Sequence, residues 1–292
     1  MANPRKQFAE LRGQPEIITQ PVIFNPLTAK IAQALGFKAI ALGGYALGSA
    51  LAISEPLISI GDLEAATLAI TRVCDLPLMV DAGTGYGEPV HVRQSIRRLE
   101  DVGATSVHIE DQIYPKRVHY HAGVEHVVPT EVMLQRVEAA VNARRDPDFV
   151  IVARTDAMRT DGYEEGIRRA HLYTEAGADM IMMFPNNEDE ARRAPGDLPG
   201  VELVYVNSSG NRLNRGVFRP TDLEAWGWKL VSDAILTTNV SSAAVWSALE
   251  TVREDGTGGQ DAEEMRRVRK RIEDTIGLDE LYDIERRTVE HE

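Results

Sequence analysis

One cysteine, Cys74, stands among the 292 residues. An internal disulfide is therefore excluded, and a reducing compartment fits. Cys74 itself reads as a small buried residue ahead of a strand. No stretch approaches the roughly 18 apolar residues of a membrane span, and the opening Met1-Ala2-Asn3-Pro4-Arg5-Lys6 leads into polar sequence without an apolar leader core. A cytoplasmic protein with no membrane partner is the expectation. Positive charge is in deficit, with 32 Lys and Arg against 45 Asp and Glu, a net charge of −13. That balance argues against nucleic acid or an anionic membrane as the main partner. An anionic substrate then needs local positive charge or a metal to overcome the field.

What is present is a large apolar fraction, 43%, beside 26% charged residues, enough to fill a sizeable core in a soluble chain. The length suits one α/β barrel with a C-terminal extension. Short runs rich in Val, Ile, Leu and Met predict strands at Ile18–Phe24, Lys38–Gly44, Leu76–Asp81, Ser106–Asp111, Phe149–Ala153, Met180–Phe184, Glu202–Val206 and Lys229–Ser232. Runs apolar on both faces suit parallel strands covered by helices. Helical patterns lie between them at Leu63–Val73, Val90–Val102, Thr130–Ala143, Tyr163–Ala176 and Thr221–Ala225. Eight alternating units favour a closed (β/α)8 barrel over an open sheet. A further helix is expected over Ser241–Glu254, then a polar linker, Asp255-Gly256-Thr257-Gly258-Gly259, and a charged helical tail from Asp261. The domain reading is a catalytic barrel over 1–254 and a helical extension over 255–292. Met265, Val268, Ile272, Ile276, Leu278 and Leu281 form an apolar stripe on that tail, which needs cover from its own barrel or a neighbouring subunit.

In a barrel of this kind, polar residues at the C-terminal ends of strands converge on one mouth. Here those ends read Asp81-Ala82-Gly83, His108-Ile109-Glu110-Asp111-Gln112, Ala153-Arg154-Thr155-Asp156 and Val206-Asn207-Ser208-Ser209. Carboxylates from two adjacent strands, Asp81 and Glu110, can hold a hard cation such as Mg2+, which keeps waters and accepts substrate oxygens. Arg154 from the next strand can clamp a carboxylate or phosphonate in bidentate fashion. A single Asp after a strand is also a common turn or helix cap, so the weight falls on the three together. Gly83-Thr84-Gly85-Tyr86-Gly87 looks like a phosphate cradle but lacks the Gly-x-Gly-x-x-Gly spacing of a dinucleotide loop. His108, inside an apolar strand, reads as a satisfied barrel histidine, and Trp226, Trp228 and Trp246 read as packing or interface residues.

Three segments in order resemble the isocitrate lyase/phosphoenolpyruvate mutase superfamily: Asp81–Gly87, Ile109–Gln112 with Pro115-Lys116-Arg117, and Ala153–Ala157. The similarity runs from about Gln20 to Arg253 and is nearest the methylisocitrate lyase and carboxyphosphonoenolpyruvate mutase-like branch. The resemblance implies a (β/α)8 barrel, Mg2+ (with Mn2+ as a substitute), and a homodimer or homotetramer whose C-terminal helices pack across a subunit boundary. It implies Asp81 as the direct metal ligand, Glu110 in the metal's water shell and Arg154 on the substrate carboxylate. Gly43, Gly44 and Tyr45 fall on a substrate-facing loop after the second strand, Asn207 at a polar substrate contact, and Lys116 and Arg117 at the start of a mobile gating loop.

The chain also departs from the family. Gly83 stands where a second aspartate is common, Asn186 follows Phe184-Pro185 where a glutamate is common, and Val118 occupies the position of the lyase cysteine. Valine transfers no proton. His119, Tyr120 and His121 offer titratable groups in its place, and an imidazole donates or accepts near neutral pH. The expected catalytic set is Lys116, Arg117, His119, His121 and Arg154. The expected function is a Mg2+-dependent carbon–carbon lyase cleaving or decarboxylating a small anionic 2-hydroxy or 2-oxo (di)carboxylic acid through a metal-stabilised enolate. The alternatives are C–P chemistry of the mutase or phosphonopyruvate hydrolase type, and a non-catalytic barrel that binds carboxylates.

Overall fold

The computed structural model describes residues 3–211 and 213–290; Met1, Ala2, Arg212, His291 and Glu292 lie outside them, so the first two residues of the opening hexapeptide and the last two of the tail do as well. Eight parallel strands close into a barrel in sequence order: β1 (Ile18–Ile23), β2 (Ile40–Leu42), β3 (Leu78–Asp81), β4 (Ser106–Glu110), β5 (Val150–Arg154), β6 (Met180–Met182), β7 (Leu203–Asn207) and β8 (Leu230–Asp233), with β1 paired to β8. Every expected strand is found, shifted by no more than the fraying of its ends.

The period-2 alternation of a strand sorts its side chains. Ile40 and Leu42, Leu78 and Val80, Val107 and Ile109, Ile151 and Ala153, and Leu203 and Tyr205 face outward into the layer between barrel and helices. Val22, Ala41, Met79, Val152, Met182, Val204 and Val206 fill the barrel interior. Each buried aliphatic contributes roughly 1.5–3 kcal/mol, so a one-residue slip of any strand would exchange these sets at prohibitive cost. The register pairs Asp81 with His108 and Glu110 with Arg154. On the inward parity Met79 is followed by Asp81, Ser106 by His108 and Glu110, and Val152 by Arg154. The same alternation that builds the core therefore delivers these four polar side chains to one end of it.

The helix Thr130–Ala143 has the expected bounds, and the helices at Ile60–Thr71, Pro89–Asp101, Tyr163–Glu175 and Pro220–Trp226 match within a few residues. Helices that the periodicity does not single out are Pro4–Arg12, Pro26–Ala34, Gly44–Leu51, Ala157–Thr160 and Glu188–Asp197. The second is fixed at its start by Asn25 and Thr28, whose side chains accept from each other's backbone amides. Leu236–Asp255 begins five residues before the expected Ser241 and ends where Gly256 turns left-handed. The tail forms two helices, Ala262–Ile276 and Leu278–Thr288, without a buried residue. Among the described residues no helix is long and apolar enough to cross a membrane.

Candidate active site

Asp81, the last residue of β3, carries a buried carboxylate aimed by two backbone amides: Gly44 donates to Oδ2 at 3.0 Å and Gly83 to Oδ1 at 2.9 Å. Glycine is required at the first and favoured at the second. A Cβ on Gly44 would stand 3.1 Å from Asp81 Oδ2 and 2.8 Å from Glu55 Cγ, and Gly83 sits at φ +52°, a conformation that favours glycine. Burial works against ionisation of Asp81, but His108, Lys116 and Arg154 outweigh it and hold its pKa down to about 2. His108 Nδ1 lies 3.6 Å from Asp81 Oδ1 without a hydrogen-bond partner. His108 is thus a cavity-facing residue rather than the satisfied barrel histidine expected, and burial lowers its pKa.

Glu110 lies fully buried beneath two cations. Lys116 Nζ is 2.9 Å from its Oε1 and Arg154 Nη1 is 3.2 Å from its Oε2. Burial pushes its carboxyl up from the ordinary range despite those neighbours. Lys116 also pairs with Glu55. Burial opposes the charge of Lys116, yet Glu110 and Glu55 keep the ammonium protonated. Arg154 is held on its other side by Asp156, whose two oxygens accept from Nε and Nη2 at 3.2 Å each. Asp156 also accepts from Gln112 Nε2 at 2.5 Å and from Arg159. Burial notwithstanding, Arg154 and Arg159 hold the Asp156 carboxyl well below the usual range.

Asp81, His108 and Arg154 border a cavity of about 390 Å³ that Val22, Ala41, Met79, Met182 and Val206 also line, while Glu110 and Asp156 stand behind Arg154 and line neither this cavity nor the next. Gly43, Gly44, Tyr45, Asp81, His108 and Arg154 line it, with Tyr120, His121 and Glu125 from the segment after β4. A second cavity, about 440 Å³, lies across Asp81 and Glu55 and is lined by Gly83, Thr84, Tyr86 and Lys116. The segment Gly43-Gly44-Tyr45 is not the loop expected: Gly43 caps the helix Gly44–Leu51, so the cavity is lined by the opening of a helix whose first amide is given to Asp81. His121 Nε2 stands 3.0 Å from Ser54 Oγ, and its ring meets that of Tyr45 at 6.4 Å. Arg117, Val118 and His119 are exposed and border neither cavity.

Asn207 is likewise not brought to the cavity. It shares the outward parity of Leu203 and Tyr205, and both ends of its amide are engaged by Phe218, Nδ2 donating to the carbonyl at 2.9 Å and Oδ1 accepting from the amide at 3.1 Å. Four charged cavity residues escape the sequence reading. Glu55 sits in a short 3-10 turn, Glu55–Leu57, well beyond β2. Glu125 and Arg159 pair at 3.0 Å, and burial together with Asp156 raises the Glu125 carboxyl to about 7. Arg215 lies in the long connection after β7. Only Arg159, one helical turn past the Arg154-Thr155-Asp156 motif, carried a local signal.

The donors present are suited to a hard cation. Glu110's two oxygens accept no hydrogen bond of good geometry, and each Asp81 oxygen accepts one backbone amide, leaving lone pairs. Among the described residues no three Asp, Glu, His or Cys side chains converge as a protein-only cage. Water and substrate oxygens would therefore supply most of the coordination, which is how Mg2+ is usually held.

Residues 8–253 match the family described as phosphoenolpyruvate phosphomutase. The chain is 34% identical over 296 residues to 2-methylisocitrate lyase of Aeropyrum pernix, covering 99% of this chain and 92% of that one. It is 31% identical over 290 residues to 2,3-dimethylmalate lyase of Eubacterium barkeri, covering 97% of each. Among solved structures, phosphonopyruvate hydrolase in complex with oxalate and Mg2+ superposes with a TM-score of 0.84 at 26% identity, covering 99% of this chain and all of that one. A closed barrel with Asp81, Glu110 and Arg154 on adjacent strand ends, matched over nearly its whole length by such relatives, belongs to the phosphoenolpyruvate mutase/isocitrate lyase superfamily.

Proposed function

We propose that this chain is a Mg2+-dependent carbon–carbon lyase acting on a small 2-hydroxy or 2-oxo acid. The observation that carries the reading is the buried Asp81 carboxylate, fixed by Gly44 and Gly83 and facing Arg154 across one cavity. Asp81 would hold the cation directly and Glu110 through water; when bound, Mg2+ supplies Lewis-acid polarisation of the substrate's 2-oxygen and carboxylate. Arg154 has donors left beyond Glu110 and Asp156 and takes the substrate carboxylate, its fork held rigid by those two acids. The amides opening the helix Gly44–Leu51 add positive potential at the same end.

His121 moves the proton in place of the missing cysteine, because it borders the cavity where His119 does not. Lys116 bridges Glu55 and Glu110 and so couples the segment that carries His121 to the carboxylates beneath it. Val240, Val245, Trp246 and Leu249 stand exposed on the helix Leu236–Asp255, as do Met265, Val268, Ile272 and Ile276 on the next. A second copy of the chain covering this apolar face would make the protein a homodimer or homotetramer.

Purified protein with Mg2+ is offered 2-methylisocitrate, 2,3-dimethylmalate and phosphonopyruvate. Release of a 2-oxo acid from either hydroxy acid, read as its phenylhydrazone and abolished by EDTA, supports the lyase. Phosphate release from phosphonopyruvate alone assigns C–P chemistry instead, and no metal-dependent turnover of any of them rejects the proposal.

A further inference from the structure

Three guanidiniums meet the ring of Phe184, with Arg159, Arg154 and Arg215 at 4.2, 4.7 and 5.0 Å from its centroid. Two are neutralised by acids: Arg154 by Glu110 and Asp156, Arg159 by Asp156 and Glu125. Arg215 differs. It is 6% exposed and borders the cavity, and no carboxylate among the described residues lies within ion-pair distance of it. Its Nη2 donates to the Val206 carbonyl at 3.2 Å, but its buried Nη1 donates to nothing. The loop that presents it is built rather than slack, since the Asn211 side chain holds both its amide and its carbonyl, at 2.9 and 3.0 Å. Burial, and the neighbouring Arg159 and Arg154, pull its pKa below the ordinary value, in keeping with a cation that lacks a counterion. A buried guanidinium left without an acid is costly, and an anion delivered by a ligand removes that cost.

We propose that Arg215 receives a second carboxylate of the substrate, so that this enzyme's substrate is a dicarboxylate rather than a monocarboxylic acid. The proposal rests on the reading above, in which Asp81 and Arg154 take the 2-oxygen and first carboxylate. Arg154 and Arg215 lie against the same ring, within one small-molecule length of each other, and both line the one cavity. Arg159 does not compete for this role, because its charge is already balanced by ion pairs with Glu125 and Asp156.

The test compares malate with 2-hydroxybutyrate, which differ by the terminal carboxylate, in calorimetric titrations with Mg2+ present. Wild type should prefer malate by about tenfold or more, the scale of one charge-assisted hydrogen bond. In Arg215→Met the ratio should fall toward one, and Arg215→Lys should restore part of it; circular dichroism establishes that each variant is folded. No preference in wild type overturns the proposal. So does a preference that survives Arg215→Met with both affinities weakened alike, which would make Arg215 only a prop for Phe184. Oxalate, which spans only the Asp81–Arg154 end, separates the two readings. If wild type binds no oxalate with Mg2+, the functional reading fails, and Arg215 is judged by thermal stabilisation without metal. There, a shift specific to malate and lost in Arg215→Met upholds the proposal, and equal shifts from both acids overturn it.

Discussion

Replacing Asp156 by Asn tests whether the site is held together by paired charge. Asp156 is fully buried and accepts four side-chain hydrogen bonds: two from Arg154 at 3.2 Å, one from Gln112 at 2.5 Å and one from Arg159. Asparagine keeps the shape but loses the charge and turns one acceptor into a donor. That donor would face either Arg154 and Gln112 or Arg154 and Arg159. Breaking a buried pair by removing one partner costs about 3–5 kcal/mol. The low end applies, because Arg154 keeps Glu110 and Arg159 keeps Glu125. A loss of about 3 kcal/mol is therefore expected in urea unfolding at pH 7, read as a fall in midpoint at constant slope. The sign with pH follows from the lowered carboxyl. Its contribution is present above the ordinary pKa of 3.8 and is lost as pH falls through the depressed value, so wild type and variant should converge only in strong acid. Arg154 also loses one of its three ties and the charge behind a second, so kcat/KM should drop along with stability. A variant within about 0.5 kcal/mol of wild type, the range of an uninvolved surface change, would refute the reasoning.

Other expectations follow from the same geometry. Arg154→Ala should lower kcat/KM by at least about tenfold in steady-state kinetics, since it removes a group that contacts the substrate and leaves Glu110 and Asp156 without their shared cation. His121→Ala should lower kcat by about 100-fold while His119→Ala leaves it unchanged; parallel turnover assays that find the two variants alike would remove His121 from proton transfer. Glu125, raised from 4.5 to about 7, binds in the folded state a proton the unfolded chain has released. Its favourable contribution is complete below pH 4.5 and lost as pH rises through 7. Between pH 5 and 7.5 wild type should therefore lose about 2 kcal/mol more stability than Glu125→Gln, which urea unfolding at the two values would check.

The barrel was legible because β/α alternation and apolar strand runs are dictated by burial on both faces, and chain order then leaves little choice of topology. Asp81, Glu110 and Arg154 were legible for the same reason, as polar residues ending apolar runs. The Asn207 expectation went wrong on parity: on β7, Val204 and Val206 point inward, so the residue after Val206 points out. Counting by twos from Val204 would have shown it. The Gly43–Tyr45 expectation of a loop failed because three small or aromatic residues carry no helix-start signal when the cap is itself a glycine. Glu55, Glu125 and Arg215 lie on connections far from any strand end, and only tertiary folding brings them to the cavity. Separation of His121 from His119, two residues away, needed the 3-10 turn Val118–Ala122, whose tight winding sends neighbouring side chains in different directions.

The central claim, that Asp81 anchors a divalent cation beside Arg154, is met most directly by Mn2+ titration followed by electron paramagnetic resonance, with oxalate present, in wild type and Asp81→Ala. The account predicts one bound Mn2+ per chain in wild type and an affinity weaker by about 100-fold or more in the variant. Mn2+ bound equally well by both proteins would contradict it.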